Sequence, residues 1–138
     1  MTDPTGTRPL VSHVSVGVAD VARAGVFYDA VMSTLGAHRV MEHPSGIGYG
    51  RTFPEFWASK PHDGGLPNVG NGTHVCFTAD SIATIDAFHA AGLAHGGSDD
   101  GAPGFRPQYA PGYYAAFLLD PDGNKVEALC WAAPTAEA

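Results

Sequence analysis

The chain has 138 residues, of which 44% are apolar and 15% are charged. This length and composition predict one globular domain rather than a disordered chain. The formal net charge is −7, with only seven scattered lysine and arginine residues, so we expect a small-molecule ligand and no nucleic-acid partner. No run of about twenty apolar residues occurs in the sequence, and we therefore expect no membrane partner or membrane span.

The first nine residues are polar and rich in turn-forming residues, which predicts a loose arm rather than a signal peptide. A cytoplasmic location is the default expectation. The only two cysteines, Cys76 and Cys130, lie on strand-like apolar segments, which indicates buried, reduced thiols rather than a disulfide.

The first half of the chain has the pattern of a β-α-β-β-β unit. Residues 11–18 alternate valine with other side chains, which is typical of a strand. Asp20 is suited to cap a helix over residues 21–35, and Gly36 is suited to end it. Three short strands should follow, at residues 37–42, 46–52 and 55–59. The turn-rich stretch 61–71 is then predicted to be a linker.

The second half repeats this order. A strand is predicted at residues 73–78, and Ser81 should cap a helix over residues 82–91 that ends at Gly92. The remaining segments are a weak strand, a long glycine- and proline-rich loop and the two strands of a final hairpin, at residues 93–95, 96–112, 113–119 and 124–131. A loop of that length is usually functional or mobile, so we expect a lid or a mobile segment there.

The two halves also place metal-binding side chains at similar points. His13 and His74 are 61 positions apart, and a phenylalanine in each predicted helix repeats at the same interval. Each half adds a glutamate near its last strand, Glu55 and Glu127, which we interpret as near equivalents. Two units that each supply one histidine and one glutamate could form a four-ligand site that neither could form alone.

Two stretches carry a resemblance to a known family. The residues from His13 to Asp20, and the Asp-Pro-Asp-Gly-Asn-x-x-Glu element that ends at Glu127, resemble the vicinal oxygen chelate superfamily of glyoxalases, bleomycin-resistance proteins and extradiol dioxygenases. The resemblance implies an α+β fold of two tandem βαβββ modules, residues 10–60 and 72–132. These modules would form a cup-shaped, curled mixed sheet with the helices outside.

In the glyoxalase I-like branch, the resemblance implies one divalent metal per site. The ligand positions map onto His13, Glu55, His74 and Glu127. Two histidines and two glutamates can bind nickel, zinc, cobalt, manganese or iron(II). The implied function is that of a lyase or isomerase similar to lactoylglutathione lyase, which removes a proton next to a carbonyl and uses the metal to stabilise the enediolate. Glu127 would be the base, with Glu55 as the second candidate. The resemblance also implies a homodimer, because many members of this superfamily form dimers.

The predicted substrate-binding residues are Arg106 and Tyr109 on the long loop, Tyr113 beside it, and Trp57 in the first half. Arg106 would suit a carboxylate or phosphate, although a solvated surface arginine is an equally ordinary outcome. An aromatic residue on a strand, such as Trp57, belongs more often to the core. Two other functions remain open at this point. One is a bleomycin-resistance-like binding protein without catalysis, and the other is an iron(II) ring-cleaving dioxygenase.

Overall fold

The structure, a computed structural model, describes residues 9–133, so most of the predicted N-terminal arm lies outside the described residues. Within this range there are two helices and eight strands, in the order β1 (Val14–Gly17), α1 (Val21–Thr34), β2 (His38–His43), β3 (Gly46–Gly50), β4 (Phe56–Ser59), β5 (His74–Thr78), α2 (Ile82–Ala94), β6 (Ser98–Phe105), β7 (Tyr113–Leu119) and β8 (Lys125–Trp131). The predicted α+β class and the two tandem βαβββ modules are confirmed.

Each module has its own mixed four-stranded sheet. The strand order is β1-β4-β3-β2 in the first sheet and β5-β8-β7-β6 in the second sheet. The first strand of each module runs parallel to the last, and the other neighbours are antiparallel. The modules therefore share one topology, as the sequence repeat predicts.

The two helices begin where the sequence predicts. The side chains of Asp20 and Ser81 each accept a hydrogen bond from the backbone N–H three residues later, which satisfies a donor that the first turn leaves free. Helix α1 ends before Gly36, which takes a φ of +72°. An L-amino acid with a side chain rarely adopts this conformation, so glycine is favoured there.

The predicted end of α2 at Gly92 is wrong, and so is the predicted strand at residues 93–95, because the helix continues to Ala94. Gly92 instead allows the helix to lie close to the second sheet. A Cβ atom added at this position would lie 2.3 Å from Cδ1 of Leu118 on β7. The glycine is thus needed for packing, a requirement that local sequence does not reveal.

The predicted loop over residues 96–112 is wrong in part, because β6 occupies Ser98–Phe105. This strand lies at the edge of the second sheet, and its register with β7 shifts between Asp99 and Gly101 and again between Gly101 and Gly104. An edge strand tolerates glycine, proline and bulges, because only one of its sides pairs with a neighbour. Residues 106–112 remain as the connection to β7.

A single hydrophobic core joins the two modules. The helices contact each other, and each packs against one face of its own sheet. Strand β5 shows the consequence for the second sheet. His74, Cys76 and Thr78 are exposed, whereas Val75 and Phe77 pack against the core. We call the face of the second sheet that carries His74 and Cys76 the open face.

The β7–β8 turn connects the second module to the first. The Tyr28 hydroxyl donates to Asp120 Oδ2 at 2.7 Å, and Asn124 Nδ2 donates to the Gly17 carbonyl at 2.8 Å. Asp122 Oδ1 accepts a hydrogen bond from the guanidinium of Arg23 at 3.0 Å. These contacts fix the orientation of the hairpin relative to β1 and α1. No helix among residues 9–133 is long and apolar enough to cross a membrane.

Candidate functional site

Glu127 lies at the centre of the candidate site, on the open face of the second sheet. In the strand register it is opposite Cys76 on β5 and Phe117 on β7. The side chain is buried, yet both carboxylate oxygens have partners. Oε1 lies 3.1 Å from Nε2 of His74, and Oε2 accepts a hydrogen bond from the Tyr113 hydroxyl at 2.5 Å. Such contacts are required, because a buried carboxylate without partners is strongly destabilising.

The distance between His74 and Glu127 is that of a hydrogen bond, and it is also compatible with two ligands of one divalent metal. Two neighbouring ligands, each about 2.1 Å from one ion, lie about 3.0–3.4 Å apart for octahedral or tetrahedral angles, and the observed separation is 3.1 Å. The His74 side chain is 44% exposed and that of Glu127 is 3% exposed, so solvent reaches the pair at His74. Among residues 9–133, no group of three or more histidine, cysteine, aspartate or glutamate side chains is arranged to hold a metal. One chain therefore supplies two of the four predicted ligands in this arrangement.

The predicted ligands of the first module do not complete this pair. His13 is exposed, and its Nδ1 lies 3.2 Å from the hydroxyl of Ser12. Glu55 is also exposed, and it lines a cavity of about 320 Å³ to which Arg51 and Cys76 also contribute. The structure thus brings His74 and Glu127 together, and leaves His13 and Glu55 outside any three-ligand cluster.

The strand register shows that the counterpart of Glu127 in the first module is Trp57. Cys76 pairs with Glu127, and Ser15, which lies 61 positions before Cys76, pairs with Trp57. Glu55 precedes Trp57 by two residues, so the interpretation of Glu55 and Glu127 as equivalents is wrong. Matching the two halves by residue type ignored the register, which depends on hydrogen bonds between strands.

The first sheet is shaped to receive the Trp57 indole. A Cβ atom added at Gly48 would lie 2.9 Å from two ring atoms of Trp57, so the ring lies directly against the β3 backbone. Glycines recur at alternate positions of β3, Gly46, Gly48 and Gly50. Alternate residues of a strand share a face, so this glycine pattern is a sequence signal that could have indicated a large side chain on the neighbouring strand.

Three of the predicted substrate-binding residues lie around the open face of the second sheet, whereas Trp57 lies on the first sheet. The ring of Tyr113 packs edge-on against Tyr109 and Trp131, with centroid distances of 5.1 and 5.3 Å. Tyr109 and Trp131 are 58% and 65% exposed. Burial, followed by the hydrogen bond to Glu127, raises the pKa of Tyr113 well above its ordinary value, so its hydroxyl remains a donor.

Arg106 follows β6, and its guanidinium lies 5.6 Å from the centroid of the Phe117 ring. Side chains of directly paired residues share a face of the sheet, and Phe117 pairs with Glu127. The guanidinium therefore lies on the same open face as Glu127.

Cys76 is exposed, contrary to the prediction, whereas Cys130 is buried as predicted. Partial desolvation of the sulfur, followed by the negative charge of Glu127, raises the pKa of Cys76 to about 12. The thiol is therefore protonated at neutral pH and is a poor nucleophile.

The chain matches the family model of the Glyoxalase/Bleomycin resistance protein/Dioxygenase superfamily over residues 10–128. No protein of curated function matches it. Among solved structures, a glyoxalase/bleomycin resistance protein from Albidiferax ferrireducens T118 is 41% identical, with a TM-score of 0.80. That alignment covers 88% of this chain and 98% of the other.

Two more distant structures show the same fold. A lactoylglutathione lyase from Agrobacterium tumefaciens is 22% identical with a TM-score of 0.61, over 90% of this chain and 96% of the other. A glyoxalase-related enzyme from Fulvimarina pelagi is 18% identical with a TM-score of 0.66, over 87% and 86%. From the match over most of its length and from the 41% identical structure, the chain belongs to the Glyoxalase/Bleomycin resistance protein/Dioxygenase superfamily.

Proposed function

We propose that the protein is a metal-dependent lyase or isomerase that acts on a small carbonyl compound with an oxygen atom on the neighbouring carbon. The observation that supports this proposal is the buried Glu127 carboxylate, which contacts His74 at one oxygen and Tyr113 at the other. A carboxylate held in this way on an open face can accept a proton at a defined position.

His74 and Glu127 would hold the divalent metal, which when bound supplies a Lewis acid for a substrate oxygen. In this proposal, Glu127 accepts the proton from the carbon next to the carbonyl. It then returns the proton to the former carbonyl carbon. Tyr113 is a positioning residue, since its hydroxyl donates to Oε2 and fixes the carboxylate. General acid–base help of this kind contributes on the order of 10²–10⁴-fold to a rate.

We further propose a homodimer in which the first module of one chain faces the second module of the other. Two features support this arrangement: a single chain supplies only a pair of ligands among its described residues, and the His74 side of that pair is open to solvent. His13 and Glu55 of one chain would then approach His74 and Glu127 of its partner, and Trp57 would become a wall of the shared site.

Metal analysis and proton exchange test the proposed chemistry. Wild-type protein loaded with nickel, zinc or manganese should retain about one ion per site, and His74→Ala should lose it. His43→Ala is a matched control, because His43 is an exposed strand histidine whose ring forms a hydrogen bond with Ser45. Glu127→Gln should keep the fold and abolish deuterium uptake from D₂O by dihydroxyacetone phosphate, with neutral dihydroxyacetone tested in parallel. Absence of both metal retention and exchange in the wild type would refute the proposal.

A mixing experiment tests the shared site separately. His13→Ala and His74→Ala chains should each be inactive alone. If the site forms between chains, mixed dimers should regain one intact site, and therefore about half of the wild-type activity per mixed dimer. Mixed dimers with no more activity than their parents would exclude the proposed arrangement while leaving the role of Glu127 intact.

A second candidate function is a binding protein without catalysis. It is favoured by Trp57, which stands where a second carboxylate would be expected, and by the exposed rings of Tyr109 and Trp131. A flat ligand should then quench tryptophan fluorescence equally with and without metal. The dioxygenase alternative predicts oxygen uptake with catechol and iron(II), which neither of the other functions does.

A further inference from the structure

We propose that Arg106 anchors an oxyanion of the substrate, so that the protein acts on small organic acids or phosphates rather than on neutral carbonyl compounds. This inference rests on the proposed function, because it assigns a substrate class to the same open face.

The Arg106 side chain is held in one position by the backbone of β6. Nη1 donates to the Gly104 carbonyl at 2.8 Å, and Nη2 donates to the Ala102 carbonyl at 2.7 Å. A guanidinium has five N–H donors, so three remain after these two hydrogen bonds. The remaining N–H groups can donate to a carboxylate or phosphate. Binding then costs little conformational entropy, because the Arg106 side chain is already fixed.

Glycines in β6 make room for this conformation. A Cβ atom added at Gly101 would lie 3.3 Å from Nη2 of Arg106, and one added at Gly104 would lie 3.1 Å from Nη1. The glycine-rich composition of β6, which predicted a loop, therefore allows the side chain to fold back over its own strand.

The charge of Arg106 has no acidic partner in the described chain. The protein has fourteen acidic and seven basic residues, and Arg23, Arg39 and Lys125 each form a salt bridge with a carboxylate. Among residues 9–133, no carboxylate forms a salt bridge with Arg106. A half-buried guanidinium that stays unpaired in such an acidic protein is suited to bind an anion from outside.

The position of the guanidinium sets the layout of the substrate. Phe117 pairs with Glu127, and the guanidinium lies over the Phe117 ring, which places it on the order of 10 Å from the Glu127 carboxylate. Phe117 is only 8% exposed, so its ring is not a surface for stacking. The exposed rings of Tyr109 and Trp131 offer the apolar contact instead. The substrate would carry an oxyanion, a short spacer, a carbonyl and an apolar end.

Binding of a matched pair of compounds tests this inference. The probes are 3-benzoylpropionate, which has a ring, a carbonyl and a carboxylate in this order, and its neutral methyl ester. Calorimetry with wild-type protein should show at least about tenfold weaker binding of the ester, because the ester lacks the charge that the guanidinium recognises. Equal binding of the two compounds, or binding of neither, would overturn the inference. Phenyl phosphate in a parallel titration shows whether phosphate is preferred to carboxylate.

Variants then assign the effect to Arg106. Arg106→Gln should weaken binding of the acid about tenfold and leave binding of the ester unchanged. Arg106→Lys should be intermediate, because lysine keeps the charge but lacks the planar, bidentate geometry of the guanidinium. Lys60→Gln is the control, since Lys60 is exposed and outside the open face. An equal loss in Lys60→Gln would mean a general charge effect and would overturn the inference. If Arg106→Gln does not fold, Arg106→Lys and the comparison of acid and ester binding by the wild type still test the role of Arg106.

Metal retention separates this inference from the proposed function. Arg106→Gln should retain as much metal as the wild type, because Arg106 is not among the proposed ligands. If the wild type retains no metal but still binds the acid more tightly than the ester, only the catalytic proposal is refuted. Normal metal retention with no acid selectivity would refute only the role of Arg106.

Discussion

Glu127 is a charged side chain in the middle of a mostly apolar strand, and its two hydrogen bonds explain how the fold tolerates it. His74 was predicted to lie near it, because the two residues belong to the same repeated pattern. Tyr113 was predicted to bind substrate, but its hydroxyl contacts Glu127. That contact could not be predicted, because Tyr113 and Glu127 lie on adjacent strands and are not direct partners in the register.

Replacing Tyr113 with phenylalanine should reveal this contact. Tyr113→Phe leaves Oε2 of a buried carboxylate without its donor, which should lower the free energy of unfolding by about 1–3 kcal/mol. Tyr114→Phe is the matched control, because its hydroxyl donates to the exposed Asp86 and water can replace that bond. Urea denaturation measures both. Equal losses in the two variants would contradict the proposed role of Tyr113.

Cys76 should be unreactive despite its exposure. With its pKa raised to about 12 from an ordinary 9.0, the thiolate fraction at pH 8 is lower by about 10³-fold. Alkylation of Cys76 by iodoacetamide, followed by mass spectrometry, should be much slower than that of free cysteine and should rise up to about pH 12. Glu127→Gln should accelerate it at pH 8, because the neighbouring negative charge is removed. Unchanged alkylation in this variant would contradict the influence of Glu127.

At the scale of elements, strands and helices that are defined by local periodicity were predicted well. Helix α1 and the β7–β8 hairpin have the expected positions, because their caps, apolar spacing and turn residues act over a few positions. Strand β6 was missed because its glycine-rich sequence resembles a loop, and it is a strand only by pairing with β7. The prediction that Gly92 ends α2 was wrong for a similar reason. This glycine allows close packing against Leu118, which lies on another element.

Two glycine-to-alanine substitutions in helices should have different effects. Gly92→Ala puts a Cβ atom 2.3 Å from a buried Leu118 side chain, so overpacking of about 1–3 kcal/mol should exceed the gain of about 1 kcal/mol in helix propensity. Gly25→Ala puts it 2.6 Å from Nη2 of Arg39, whose salt bridge with the exposed Asp29 contributes little and can rearrange. Thermal unfolding should show a lower midpoint for Gly92→Ala than for Gly25→Ala, and the reverse order would be inconsistent with this packing.

At the scale of the whole molecule, the two modules share one core and are also joined by the β7–β8 turn. Tyr28 and Asp120 form a buried hydrogen bond between α1 and this turn, and Asn124 bonds to the backbone of β1. Since these contacts cross from one module to the other, we expect the modules to unfold together.

Tyr28→Phe tests this coupling, because it removes one donor from the buried Asp120 carboxylate. The variant should lose about 1–3 kcal/mol of unfolding free energy. Each module contains one tryptophan, Trp57 or Trp131, so the Trp131→Phe and Trp57→Phe backgrounds report on the first and second modules separately. The urea midpoints of both modules should shift equally. A shift confined to one module would show that the modules unfold independently.

The sequence by itself determined the two modules, the helix caps and the final hairpin, and it indicated His74 and Glu127 as members of one candidate site. These features depend on side-chain periodicity, turn residues and residue types, all of which act within a short window. Only the tertiary structure decided that Trp57 is the counterpart of Glu127, that β6 holds the Arg106 side chain, and that His13 and Glu55 do not join the His74–Glu127 pair in one chain. The physical reason is that register and contacts between strands arise from hydrogen bonds between distant residues, and a shift of two positions leaves the local pattern of a strand unchanged.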